Sequence, residues 1–277
     1  MGMQINTNIA ANNAYRNLSN TQNDLSKSLE KLSSGLRINR AADDAAGLAI
    51  SEGLRAQVGG ITVAARNAQD GISVIQTTEG ALTEVHSILQ RVRDLAVQAG
   101  NDSNNADSRA AIKTESDALA SELTRIGAAS NFNGIKLLDG SATAMTFQVG
   151  AGGVAAEDQI VVSLAGANTT TVATAVSALT FDSAANAAAS ITAIDTQIKN
   201  ISTARAGLGA VQNRFESAIN SLNVSKENLS AAKSRITDTD MASEMVKYTR
   251  ANILSQAGTA MLAQANQSNS GVLQLLQ

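Results

Sequence analysis

The side chains able to do chemistry are few and stand apart. His86 is the only histidine, placed between Glu84 and Leu89, and there is no cysteine. An imidazole can shuttle a proton or bind a metal. Without a second imidazole or any thiolate, however, His-pair zinc sites, the helical zinc-peptidase motif and a Cys nucleophile are excluded. His86 therefore reads as a solvated or packed helix residue. The paired acids Asp43 and Asp44, and Asp238 and Asp240, could hold a cation. Each pair lacks the further oxygen ligands of an EF-hand loop, so helix N-terminal acids are the plainer reading. Gly150, Gly152 and Gly153 suggest a phosphate loop, but no Lys follows and Ala155 stands where a dinucleotide loop has its third glycine. Thr169, Thr170 and Thr171 could carry O-linked sugars. No constellation supports catalysis, and the expectation is a non-enzyme with no cofactor and no metal.

The elements that would position any site are helical. Hydrophobic residues are 44% of the chain but aromatics only 2%, a composition that packs helices closely and rarely lines ligand pockets. Proline is absent, where average usage predicts on the order of fourteen. An interior Pro costs a helix about 3 kcal/mol, so long unbroken helices account for the absence. Apolar residues step by three and four in four stretches. Ala11, Tyr15, Leu18, Gln22, Leu25, Leu29, Leu32 and Leu36 form a heptad seam of coiled-coil grade. A second stretch follows Ile61, Ala65, Ala68, Ile72, Ile75 and Leu82, then shifts phase to Val85, Leu89, Val92, Ala96 and Ala99, where Gly100 ends it. A third carries Ile112, Leu119, Leu123 and Ile126. The fourth carries Ile191, Ile194, Ile198 and Ile201, then Val211, Phe215, Leu222, Leu229 and Ile236. Between the last two, residues 131–186 alternate and become rich in Gly and Thr, which predicts hairpins in a β-rich segment.

Periodicity by itself leaves the pairing of the halves parallel or antiparallel. The fold class expected is mainly α: a long antiparallel helical bundle or coiled coil built from both chain halves, with a small β-rich middle insert. We expect a core helical domain made of residues 1–45 and 238–277. A wall domain would comprise 46–186 and 187–237, with the β-rich outer segment at about 131–186.

Residues 1–15 and 251–277 contain no Asp, Glu, Lys or Arg. Charged side chains normally cover a solvated helix face, whereas a desolvated ion costs several kcal/mol. The repeated Gln, Asn and Ser of the tail argue against a membrane span. Both ends thus point to a protein–protein core, with Leu18, Leu25, Leu29, Leu32, Leu36, Leu254, Ala257, Met261 and Leu262 as candidate interface residues. A net charge of -3 gives no basic face for nucleic acid. The first residues, Met1-Gly2-Met3-Gln4-Ile5-Asn6-Thr7, lack a signal peptide's basic and apolar runs, so export of the chain would use a route without a cleaved signal peptide.

Specific blocks resemble bacterial flagellin: Leu32-Ser33-Ser34-Gly35-Leu36-Arg37-Ile38-Asn39, Ala42-Asp43-Asp44-Ala45-Ala46-Gly47-Leu48-Ala49-Ile50, Arg66-Asn67-Ala68-Gln69-Asp70-Gly71-Ile72-Ser73, Gln76-Thr77-Thr78-Glu79-Gly80-Ala81-Leu82 and Gly209-Ala210-Val211-Gln212-Asn213-Arg214-Phe215. The resemblance covers about residues 1–140 and 190–277. It implies a filament subunit that is exported by the flagellar type III apparatus with a secretion chaperone and polymerises with itself under a cap, next to hook-junction proteins. It also implies an extracellular location and recognition by the flagellin-sensing Toll-like receptor of animal hosts at Arg91, Leu95 and Glu115. Leu119 stands where the family carries Arg at a further receptor contact. Two other readings are a hook–filament junction protein of the same superfamily and a surface-binding adhesin module.

Overall fold

The computed structural model describes residues 8–274, and side chains for residues 8–267. In chain order the described residues form α1 (Ile9–Ser34), α2 (Ala45–Ala99), α3 (Ala106–Ala129), β1 (Asn131–Phe132), β2 (Ile135–Lys136), β3 (Ala144–Gln148), α4 (Ala155–Asp158), β4 (Gln159–Ser163), a short 3-10 turn (Ala165–Ala167), α5 (Thr169–Ser177), α6 (Ala184–Thr237) and α7 (Met241–Gln274). They pack as two units, one made of residues 8–56 with 228–274, the other of residues 57–227.

In the first unit α1 runs antiparallel to α7. Asn8 Nδ2 donates to the Ala265 carbonyl at 2.9 Å, and twenty residues on Ser28 Oγ donates to Glu244 Oε1 at 2.7 Å. Local chemistry sets the helix ends. The Asn8 side chain accepts from Ala11 N, and Gly35 adopts φ 73°, returning its N–H to the Lys31 carbonyl. Beyond Gly35 the chain clasps the end of α6: Arg37 N donates to the Thr237 carbonyl at 2.6 Å and Thr239 N to the Gly35 carbonyl at 3.0 Å.

In the second unit α2 and α6 are antiparallel. Arg93 Nε reaches Asp195 at 2.7 Å, Arg205 reaches Glu79 at 3.3 Å, and Phe215 lies against Gly71. Along α2 the buried positions 61, 64, 68, 71, 75, 78, 82, 85, 89, 92, 96 and 99 form a continuous three-four ladder, with Val74 and Leu95 buried on its flank. The phase shift expected after Leu82 is therefore absent, because Gly71 and Thr78 fill rungs that an apolar pattern skips. Thr78 satisfies its buried hydroxyl by donating to the Val74 carbonyl at 2.8 Å.

The middle segment holds two antiparallel hairpins. In β1–β2 the turn is Asn133-Gly134, both at positive φ (50° and 82°), as a tight hairpin turn requires. In β3–β4, Phe147 pairs with Ile160, and the Phe147 ring meets Phe215 edge-on at 5.6 Å. The expectation of hairpins throughout 131–186 fails after Ser163, where a 3-10 turn and α5 replace them. The reason is a cap and a buried face. The Asn168 side chain accepts from Thr170 N and Thr171 N, and Val172, Ala173 and Val176 are buried. Those gains override the poor helix propensity of three consecutive threonines.

Candidate assembly interface

The α1·α7 seam is made of two heptad rows. On α1 the covered positions include Ala11, Ala14, Leu18, Thr21, Leu25, Ser28 and Leu32; on α7 they include Glu244, Tyr248, Ala251, Ser255, Gly258, Leu262 and Ala265. Small residues on the α7 row let the helices approach closely. A Cβ added at Gly258 would stand 3.2 Å from Leu18 Cδ1. The seam thus shares Ala11, Leu18, Leu25 and Leu32 with the row read from sequence but turns toward Ala14, Thr21 and Ser28 instead of Tyr15, Gln22 and Leu29.

That choice leaves apolar surface uncovered. Tyr15 is 64% exposed, Leu29 56% and Leu36 36%. On α7, Val246, Ile253, Leu254 and Met261 are exposed, the last two at 52% and 64%, and Ala257 is exposed with them. Met245, Val246, Thr249, Arg250, Ile253 and Leu254 line a shallow groove of about 470 Å³. Of the nine candidate interface residues, then, Leu29, Leu36, Leu254, Ala257 and Met261 face outward. Leu18, Leu25, Leu32 and Leu262 are half-buried on the seam within the subunit.

One charged group lies in this seam. Glu244 is 4% exposed and bound by Ser28 and by Lys247 Nζ at 2.9 Å. Burial raises its pKa, but the hydrogen bonds from Lys247 and Ser28 and the charges of Lys247 and Lys31 outweigh burial, so the carboxyl titrates below the usual glutamate value. The acid pairs act as caps and ties. Asp44 accepts from Gly47 N at 2.8 Å and Asp240 from Ala242 N at 2.9 Å. Asp43 accepts from Asn39 N at 3.1 Å and Arg40 N at 3.0 Å, and Asp238 takes the hydroxyls of Ser234 and Thr237. Among the described residues no helix is long and apolar enough to cross a membrane.

The three receptor candidates lie in the second unit. Arg91 and Glu115 join α2 to α3 by a surface ion pair, 2.6 Å between Nη2 and Oε1. Leu95 is 2% exposed and belongs to the core beneath them. Leu119 is partly buried against that same core.

Two family descriptions match the chain. The bacterial flagellin N-terminal helical region fits residues 5–143, and the bacterial flagellin C-terminal helical region fits residues 191–276. The chain belongs to the bacterial flagellin family. It is 52% identical over 274 residues to the flagellin of Halalkalibacterium halodurans, covering 99% of this chain and 100% of that one. It is 48% identical over 306 aligned positions to the flagellin of Bacillus subtilis, and 45% identical over 290 to the flagellar filament 33 kDa core protein of Treponema phagedenis, each at 99% and 100% coverage. This flagellin is a structural subunit of the flagellar filament, which lies outside the cell, and it self-polymerises; it is not an enzyme.

The residue spacing of α1 carries a signal of its outward face. On α1 the apolar arc spans both 11-14-18 and 11-15-18 spacings, wider than a single partner helix can cover.

Proposed function

We propose that subunits join in the filament through the uncovered apolar faces of α1 and α7. The observation that carries this reading is the coincidence of large exposed apolar side chains, Tyr15, Leu254 and Met261, with the two stretches that contain no charged residue. An exposed apolar stripe without charged neighbours is unfavourable in water and favourable inside an interface. Leu29 and Leu36 extend the same face toward the charged part of α1. Amide exchange tests it. We expect α1 and α7 amides to exchange faster in the monomer than those of α2 and α6, and to slow strongly on assembly. Equal protection before and after assembly would refute the interface.

The same reading includes export by the flagellar type III apparatus with a secretion chaperone, and growth under a cap above hook-junction proteins. Support comes from family membership and from a chain without Pro or Cys, in which neither prolyl isomerisation nor disulfide exchange delays refolding after passage.

Recognition by the flagellin-sensing Toll-like receptor is assigned to the Arg91–Glu115 pair, which presents its charges at the surface. Arg91→Ala and Glu115→Ala are expected to lower the receptor reporter signal while filament yield stays normal, since an exposed ion pair contributes at most about 1 kcal/mol to stability. An unchanged signal in both variants would remove the assignment. Leu95→Ala is unsuitable for this purpose, because emptying a buried leucine costs about 2–5 kcal/mol and alters the fold itself.

A further inference from the structure

We propose that Ser28 and Glu244 set the register of the α1·α7 pair. The need for such a device comes from the seam itself. On α1, Ala11, Leu18, Leu25 and Leu32 recur every seven residues; on α7, Ala251, Gly258 and Ala265 do the same. In the observed pairing Leu18 packs on Gly258, and the antiparallel offset carries Leu25 to Ala251 and Ala11 to Ala265. Sliding α7 by seven residues brings Leu18 to Ala265, Leu25 to Gly258 and Leu32 to Ala251. Leucine still meets Gly or Ala at every step, so apolar packing barely separates two registers that differ by about 10.5 Å along the axis.

The polar pair does separate them. Ser28 and Glu244 are 6% and 4% exposed, their hydrogen bond is 2.7 Å, and Glu244 is the one charged side chain in the buried class among the described residues. The slipped register carries Glu244 past the end of α1 and takes from Ser28 the acceptor it now has. A buried hydroxyl or carboxylate without its partner is costly, whereas a satisfied pair selects one alignment among several apolar alternatives. Buried polar residues fix register in coiled coils by this logic. The consequence for assembly rests on the interface proposed above: Tyr15 lies level with Met261 in the observed register, whereas the slipped register parts them and sets Leu29 against Leu254. The rival determinant is the backbone clasp at Arg37 and Thr237, which reads no side chain of the seam.

Cysteine cross-linking distinguishes these, because the chain has no cysteine of its own. In the full chain, Leu18→Cys with Gly258→Cys reports the observed register. Leu25→Cys with Gly258→Cys reports the slipped one, since in the observed register those positions are offset by about 10.5 Å, beyond the roughly 7 Å a disulfide spans. Each pair is oxidised in four backgrounds: unaltered, Glu244→Ala, Ser28→Ala and Glu244→Gln. The unaltered chain should form the first link and not the second. Glu244→Ala should gain the second link at the expense of the first, and Ser28→Ala should do likewise. Glu244→Gln, which retains an oxygen for the Ser28 hydroxyl, should restore the original pattern. An unchanged pattern in both alanine variants would assign register to the clasp and overturn the proposal. Loss of both links would do so too, because the pair would then hold the helices together without choosing their alignment. These readouts are taken on monomers as well as filaments, so a failed interface would leave them intact.

Discussion

Filament growth from seeds is expected to stop in Met261→Glu and in Leu254→Glu, while both monomers keep the helix content and cooperative melting of the unaltered chain. The two side chains are more than half exposed on the uncovered face of α7, so a carboxylate there is solvated in the monomer and costs little. In an enclosed interface it loses its hydration without a partner, a penalty on the order of several kcal/mol that recurs at every subunit. Leu262→Glu tests something different. Leu262 is half-buried on the seam with α1, so that substitution should loosen the α1·α7 pair in the monomer and raise amide exchange along both helices. The control for added charge must avoid existing hydrogen bonds, which excludes Ser234, whose hydroxyl binds Asp238 at 2.6 Å. Ala156→Glu in the exposed first turn of α4 serves instead. Sedimentation after seeding, read beside circular dichroism, settles the matter: filaments of normal length from Met261→Glu and Leu254→Glu would show that this face stays in water.

Two glycines of α2 should respond to alanine with opposite signs. At Gly71 an added Cβ would stand 2.7 Å from the tip of the Phe215 ring, which is fully buried and braced edge-on by Phe147. Helix propensity favours alanine by about 1 kcal/mol, but overpacking against a buried ring costs about 1–3 kcal/mol. The clash wins, and Gly71→Ala should lower the melting temperature. At Gly80 nothing lies within 4 Å of the added carbon, so only propensity acts and Gly80→Ala should raise the monomer's stability by about 0.5–1 kcal/mol. Phe215→Ala is the larger perturbation. Emptying that position should cost about 3–5 kcal/mol, which for a unit of this size corresponds to a fall of about 6–20 °C. Calorimetry of the monomers checks all three. A stabilised Gly71→Ala would mean that Phe215 has room to withdraw and that the β3–β4 hairpin does not pin it.

Much of this molecule is legible in its sequence. The three-four spacing from Ile61 to Ala99 and from Ile191 to Ile236, together with the absence of proline, dictates long helices, because each apolar position falls on one side of a 3.6-residue turn. The charge-free ends follow from composition alone, as does the lack of any catalytic constellation. The Gln159–Ser163 strand is likewise visible as a β-branched run. Periodicity, however, gives only an angle around a helix axis; it names no neighbour. Which flank of the broad α1 arc is covered was decided by α7, whose small residues admit Leu18 and whose Glu244 satisfies Ser28, so Tyr15 and Leu29 were left outside. Gly71 and Thr78 became rungs of the α2 ladder because Phe215 needed a gap and a threonine can satisfy its own hydroxyl within its helix. Leu95, one turn beyond Arg91, lies about 40° further round the axis, toward the buried row of Val92 and Ala96, and that row is covered where Arg91 is not. α5 formed where threonines favoured a strand, since Asn168 capped it and its valines found a buried surface. Each of these outcomes depends on a partner far along the chain, and the energy of such contacts is fixed only when the two segments meet.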